Sequence, residues 1–140
     1  MDLKSEIKKQ FEEAQLILSQ FQNTENFEKI ETAIEMMCTA LKAGNKIISC
    51  GNGGSMCDAM HFAEELSGRF RTNRRGLAAV SISDPSHISC VANDFGYDFV
   101  FSRYIEAIGQ SGDVVLLEES PPYSRHKKWV LKKVVRVYSQ

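Results

Sequence analysis

Lys46-Ile47-Ile48-Ser49-Cys50-Gly51-Asn52-Gly53-Gly54-Ser55 decides the fold of this chain. A short apolar run enters a glycine-rich bend, and a helical pattern opens directly behind it and continues to about Gly68. Strand, glycine loop and helix in that order open a βαβ unit. Downstream, Ala78-Ala79-Val80-Ser81-Ile82 predicts a second strand that ends in Asp84-Pro85, where Asp84 or Ser86 caps a short helix through Val91. Asn93-Asp94-Phe95-Gly96 reads as a turn. Residues 99–108 then read as a helix with Phe101, Tyr104, Ile105 and Ile108 on one side, and Gly112-Asp113 introduces a third strand, Val114-Val115-Leu116-Leu117. This alternation predicts an α/β fold of three layers, α/β/α, with helices on both faces of a parallel sheet.

Upstream of the bend, Leu3, Ile7, Phe11, Ala14, Leu18 and Phe21 recur at helical spacing. A polar break, Gln22-Asn23-Thr24, offers Thr24 as N-cap of a second helix, whose stripe of Phe27, Ile30, Ala33, Ile34, Met37 and Leu41 runs to Gly44. Two amphipathic helices therefore precede any strand. Periodicity does not say whether their stripes face the chain's own core or a neighbouring subunit.

The 140 residues, 43% of them hydrophobic and 25% charged, suffice for one domain. With 17 Lys+Arg against 18 Asp+Glu, nothing in the overall charge points to nucleic acid or to an anionic membrane. The balance conceals an asymmetry. Beyond residue 118 the bases Arg125, Lys127, Lys128, Lys132, Lys133 and Arg136 face a single acid, Glu119, so the body is acidic and the tail basic. The sequence therefore divides into a body, 1–117, and a divergent basic tail, 118–140, read as solvated. No apolar run reaches the ~20 residues of a membrane span, and the N-terminus lacks a signal peptide, so a cytoplasmic location is expected. Cys38, Cys50, Cys57 and Cys90 form no CxxC pair and read as reduced thiols, three of the four buried.

In a parallel sheet, ligands gather at the carboxyl ends of the strands. The bend Gly51-Asn52-Gly53-Gly54-Ser55 sits there and leads into a helix N-terminus, where free N–H groups and the helix dipole favour an anion. Ser55 adds a hydroxyl and Asn52 an amide. The bend is not GxGxxG and lacks the Walker lysine, so a sugar phosphate suits it better than a dinucleotide or a nucleoside triphosphate. On the following helix His61 and Glu65 are four apart and share a face. They form half of a Zn²⁺ site, or Glu65 is a general base, or the two are a surface helical pair. Asp84, His87, Asn93 and Asp94 follow the second strand, where they bind sugar hydroxyls or serve as cap and turn. Of Arg69, Arg71, Arg74 and Arg75, all but Arg69 read as solvated or intersubunit.

Taken together, Ser49-Cys50-Gly51-Asn52-Gly53-Gly54-Ser55, Cys57-Asp58-Ala59-Met60-His61-Phe62-Ala63-Glu64-Glu65-Leu66, Ser81-Ile82-Ser83-Asp84 and Ala92-Asn93-Asp94-Phe95-Gly96 closely resemble the bacterial phosphoheptose isomerase family, of the sugar isomerase (SIS) domain class. The resemblance runs to about Leu116. It implies an aldose–ketose isomerase that converts sedoheptulose 7-phosphate to D-glycero-D-manno-heptose 7-phosphate, a lipopolysaccharide precursor. By that likeness Asn52, Gly53, Gly54, Ser55, Glu65, Asn93 and Asp94 bind substrate. His61 and Glu65 match the family's zinc positions, and Glu65 its proton-transfer carboxylate. The family's homotetramers build their interface from the N-terminal helices and complete sites across subunits.

The resemblance also implies parts that this sequence lacks: a Ser/Thr-rich phosphate loop after the third strand, further strands, and a late helix with a Gln and a His that complete the zinc set. Here the chain reads Leu117-Glu118-Glu119-Ser120-Pro121-Pro122-Tyr123 instead, and the sheet is expected to be incomplete at its C-terminal side. A shifted reading frame or a truncation of a longer gene is the expected origin of the break, since one coding of Gly-Ile-Ser-Thr, GGA-ATC-TCC-ACC-T, yields Glu-Ser-Pro-Pro one base later. Two function classes follow. One is an isomerase whose site is inactive here or completed by a neighbouring chain. The other is a non-catalytic SIS module used for binding, like the relatives that associate with a replication initiator protein. The pair His61/Glu65 with Asn93-Asp94 favours the first, because a pure interaction protein has no chemical need of it.

Overall fold

A computed structural model describes residues 2–117 and the strand residues Val135 and Arg136. The chain divides into two compact units, Met1–Glu35 and Met36–Gln140. In the first, α1 (Leu3–Phe21) is capped by Asp2, whose carboxylate accepts from the Lys4 N–H. The helix α2 begins at Thr24 and runs to Lys42. Its cap is Asn23 rather than the expected Thr24, because Asn23 Oδ1 accepts from the Asn26 N–H at 3.0 Å. Asn23 and Asn26 also donate through their side chains to the Gln20 and Phe21 carbonyls, which closes the end of α1. The apolar residues of α1 are exposed, Leu3 and Phe11 most of all.

In the second unit, β1 (Ile47–Cys50), α3 (Gly54–Ser67), β2 (Ala79–Ser81), α4 (Pro85–Asp94), α5 (Val100–Ile108) and β3 (Val114–Leu117) follow the expected order. A 3₁₀ turn, Tyr97–Phe99, precedes α5. Strand β1 is central, parallel to β2 on one side and to β3 on the other, with Ile48 opposite Val80 and Val115. The short β4 (Val135–Arg136) lies along β3 antiparallel, so the sheet is mixed and its order is β2-β1-β3-β4. Beside the expected parallel strands the sheet thus carries a short antiparallel edge strand drawn from the tail. Val134-Val135-Arg136-Val137 is rich in β-branched residues, which suits a strand. The remaining residues of the tail lie outside the described residues.

The alternation of strand side chains separates two apolar layers. Ile47 and Val114 pack with Ala40, Met37 and Leu41 of α2 and with Phe62 and Leu66 of α3. On the opposite face Ile48, Cys50, Ile82 and Val115 pack against Phe101, Tyr104 and Ile105 of α5. Ile47 and Ile48 are almost wholly buried, and each contributes about 1.5–3 kcal/mol by leaving water. Burial also pushes the Cys50 thiol up to about 11. The expectation of three buried cysteines is corrected: Cys38, Cys57 and Cys90 are exposed, because each sits on the outer side of its helix while Cys50 points into the sheet's core.

At the end of the sheet away from the glycine bend, buried Asp113 accepts from the Lys46 N–H at 3.0 Å and the Gln110 N–H at 2.8 Å, and pairs with Lys46 Nζ at 2.7 Å. One carboxylate thus ties the start of β1 to the start of β3. Burial raises its pKa, but the hydrogen bonds and charge of Lys46 and the Gln110 N–H outweigh that and hold it below the ordinary 3.8.

Candidate active site

The bend between β1 and α3 is shaped by sterics at two glycines. A Cβ on Gly51 would stand 2.7 Å from Ser55 Cβ and 2.8 Å from the Ser55 carbonyl, so the strand end and the first helical turn approach closer than any side chain permits. Gly53 takes φ +58° and ψ −120°, a conformation that favours glycine. The turn closes through Ser55 N–H to the Asn52 carbonyl at 3.1 Å and Met56 N–H to the Gly53 carbonyl at 3.1 Å. Asn52, Gly53 and Gly54 are exposed and Ser55 is half-buried, at the carboxyl end of the central strand.

Helix α3 is anchored by small residues: Ala59 and Ala63 are buried, and the Ala59 carbonyl accepts from Ser49 Oγ at 2.8 Å. The seven- and eleven-residue steps from Gly54 put His61 and Glu65 on the face of α3 that begins at the bend. His61 Nε2 lies 3.1 Å from Glu65 Oε1 and 3.9 Å from Glu64 Oε1, with ligand atoms of all three residues within 4.8 Å of one another. Among the described residues, two buried side-chain oxygens lack a hydrogen-bond partner, Glu65 Oε2 and Ser81 Oγ. The far end of α3 is held by Arg74, whose guanidinium donates to the Leu66 carbonyl at 2.8 Å and the Glu65 carbonyl at 2.6 Å. Arg74 is therefore a helix cap, where a solvated or intersubunit role was expected. A long side chain returning from the following loop satisfies carbonyls that the helix leaves open. Arg71, at φ +60°, lies over the Phe70 ring.

Asp84 is the N-cap of α4: its carboxylate accepts from Ser86 N–H and Oγ and from His87 N–H, and the Ser86 hydrogen bonds foremost hold its pKa below the ordinary value. His87 Nε2 meets the Val100 carbonyl at 2.9 Å, and the His87 ring packs edge-on against Tyr104, so His87 fastens α4 to α5. Asn93 and Asp94 occupy the last turn of α4, not a turn beyond it. The chain breaks at Gly96, with φ +97°, and the helix persists up to it, Phe95 N–H donating to the Val91 carbonyl at 2.9 Å. Asn93 Nδ2 donates to Asp94 Oδ1 at 2.9 Å. The Cys90 thiol lies 3.5 Å from Asp94 Oδ2, and this hydrogen bond raises the thiol's pKa.

Two further residues join the site that spacing did not disclose. Tyr97 Oη donates to Asn52 Oδ1 at 2.7 Å, linking the segment after α4 to the glycine bend. Glu64 completes the cluster at His61. An i,i+3 step from His61 was the available signal for Glu64. Tyr97 gave none, since its place depends on how the chain turns at Gly96.

The model of the SIS domain family matches residues 10–121. The chain belongs to the SIS domain family. Its curated relatives include the phosphoheptose isomerase of Cytophaga hutchinsonii, 60% identical over 115 residues that cover 81% of this chain and 60% of that protein. The phosphoheptose isomerase of Pectobacterium atrosepticum is 59% identical, covering 79% and 58%. Among solved structures, a phosphoheptose isomerase from Neisseria gonorrhoeae superposes with a TM-score of 0.72 at 35% identity over 81% of this chain and 58% of that one. One from Francisella tularensis gives 0.77 at 28% identity, over 82% and 60%. The SIS chain described here thus spans about 60% of the length of the relatives it matches.

The arrangement brings some of the expected residues together and leaves others apart. His61 and Glu65 are in hydrogen-bond contact, Asn93 and Asp94 are bonded to each other, and Asn52 is joined to the latter pair's segment through Tyr97. Glu65 follows Ser55 by ten residues on one helix, about 15 Å of axial rise.

Proposed function

We propose that this chain is a phosphoheptose isomerase-type protein that binds sedoheptulose 7-phosphate and interconverts it with D-glycero-D-manno-heptose 7-phosphate in the cytoplasm, in lipopolysaccharide precursor synthesis. Identity of 60% over 115 residues to the phosphoheptose isomerase of Cytophaga hutchinsonii supports this reading. The single observation that carries it is the glycine bend of β1 opening the same helix that holds a carboxylate with one buried, unpartnered oxygen. Asn52, Gly53, Gly54 and Ser55 hold the phosphorylated sugar by backbone and side-chain donors. Asn93 and Asp94 bind its hydroxyls. We set the boundary between the SIS part and a divergent tail at about residue 117.

Isomerisation moves a carbonyl from C2 to C1, so a proton leaves C1 and one returns at C2 by way of an enediol. Glu65 takes and returns that proton; His61, hydrogen-bonded to Oε1, fixes the carboxylate's orientation. The donor set also fits Zn²⁺. Two ligands of a tetrahedral zinc stand ~3.3 Å apart given bond lengths of ~2.0–2.1 Å, against 3.1 Å between His61 Nε2 and Glu65 Oε1. His61 and Glu65 would hold the ion, with Glu64 adjacent. When bound it supplies Lewis-acid polarisation of a substrate oxygen.

The reading includes a homotetramer whose sites are completed across subunits. Assay of the 140-residue chain with sedoheptulose 7-phosphate, with and without Zn²⁺, tests the proposal. Glu65→Gln is expected to lower turnover at least ~100-fold, and turnover that survives it removes Glu65 as the base. A second reading is a non-catalytic SIS binding module; sugar-phosphate binding by the parent chain without any turnover would select it.

A further inference from the structure

Gly96 reverses the chain out of α4 with φ +97° and ψ 154°, and the 3₁₀ turn that follows lays Tyr97 beside the glycine bend. The turn is fixed at both ends. Phe99 N–H donates to the Gly96 carbonyl at 3.2 Å, and the buried Val100 is held through its carbonyl by His87. From this base the Tyr97 hydroxyl donates to Asn52 Oδ1 at 2.7 Å, across 45 residues of sequence. A side-chain amide offers an acceptor oxygen on one side and two N–H donors on the other, and one that rotates freely presents either. With one lone pair of Oδ1 engaged by Tyr97, the amide's orientation is set and both Nδ2 donors stay free for a ligand.

We propose that Tyr97 is a positioning residue of the sugar-phosphate site, holding the Asn52 amide so that it presents donors and thereby favours the acceptor oxygens of a phosphorylated sugar. The inference rests on the reading of the bend as a sugar-phosphate site. The Tyr97 oxygen keeps its lone pairs, so it also accepts from a substrate hydroxyl. Because Tyr97 is half-exposed, water competes for the same partners and the effect on affinity is moderate.

Calorimetric titration of the full chain with sedoheptulose 7-phosphate tests this, using Tyr97→Phe, Asn52→Ala and the double variant. Tyr97→Phe keeps the ring and removes only the hydroxyl. It is expected to weaken binding roughly three- to tenfold and to have no further effect in the Asn52→Ala background. In the ligand-free chain it should also shift the Asn52 side-chain NH₂ signals in a ¹⁵N correlation spectrum. Equal losses in both backgrounds, or unchanged Asn52 signals, overturn the positioning role. Unaltered affinity in Tyr97→Phe while the parent binds removes this inference alone; a parent chain that does not bind the sugar phosphate removes the site reading and the inference with it.

Discussion

Gly51 has the strictest steric requirement at the site. Its missing side chain is what lets β1 run into α3 without a gap, and the atoms a methyl would strike include the Ser55 carbonyl, part of the backbone of the first helical turn. Backbone cannot rotate aside as a lysine tip can. Gly51→Ala is therefore expected to cost about 1–3 kcal/mol in thermal unfolding and to weaken sugar-phosphate binding; a variant that melts with the parent would show that the turn has slack. The sequence displayed this glycine and its neighbours openly, because a glycine cluster behind an apolar run has few other uses. Tyr97 was invisible at the same scale. An aromatic residue directly after a four-residue turn signal is unremarkable until Gly96 is seen to bring it back over Asn52. The cysteines misled for a related reason: their type is usually buried, yet three of them fall on exposed positions of helices whose buried positions are taken by Ala40, Ala59, Ala63 and Val91.

Among the elements, the strands and long helices were legible because their periods are strong, whereas the joints were not. Asn23 and Thr24 are both good caps, and only the reach of Asn23 Oδ1 to the Asn26 N–H decides between them. The extension of α4 through Asp94 reverses the reading of Asn93-Asp94 as turn residues and puts both on the end of a helix. The joint at Asp113 carries the clearest energetic consequence. Its carboxylate is buried and serves three donors from two segments, so Asp113→Asn, which sets an amide N–H against Lys46 or Gln110, is expected to cost about 3 kcal/mol. Since the folded-state pKa is depressed, the ionised carboxylate's stabilisation is present in full above the unfolded value of about 3.8 and is lost as pH falls through the lowered one. Urea midpoints of the parent should decline below about pH 4, and those of Asp113→Asn should lose that part of the slope; parallel profiles would mean that Asp113 is not the titrating group.

For the molecule as a whole, the N-terminal unit bears the decisive observation. Phe11 is 73% exposed and Leu3 70%, although both belong to a regular apolar stripe, and such a stripe is a marker of association. No helix among the described residues is long and apolar enough to cross a membrane. If the stripe joins copies of the chain, Phe11→Lys should lower the mass measured by light scattering and reduce turnover with it, while helical circular dichroism is retained. Unchanged mass would detach the stripe from assembly. Sequence periodicity revealed the stripe but not its partner, since the same spacing serves a core and an interface.

The tie at Asp113 has a bearing on how the ligand edge behaves. It clamps the leading ends of β1 and β3, and their pairing continues without a break to Cys50 opposite Leu117. The tie thus acts like the stop on a ruler: it sets the register at one end, and the strand carries that setting to the other, where the glycine bend begins.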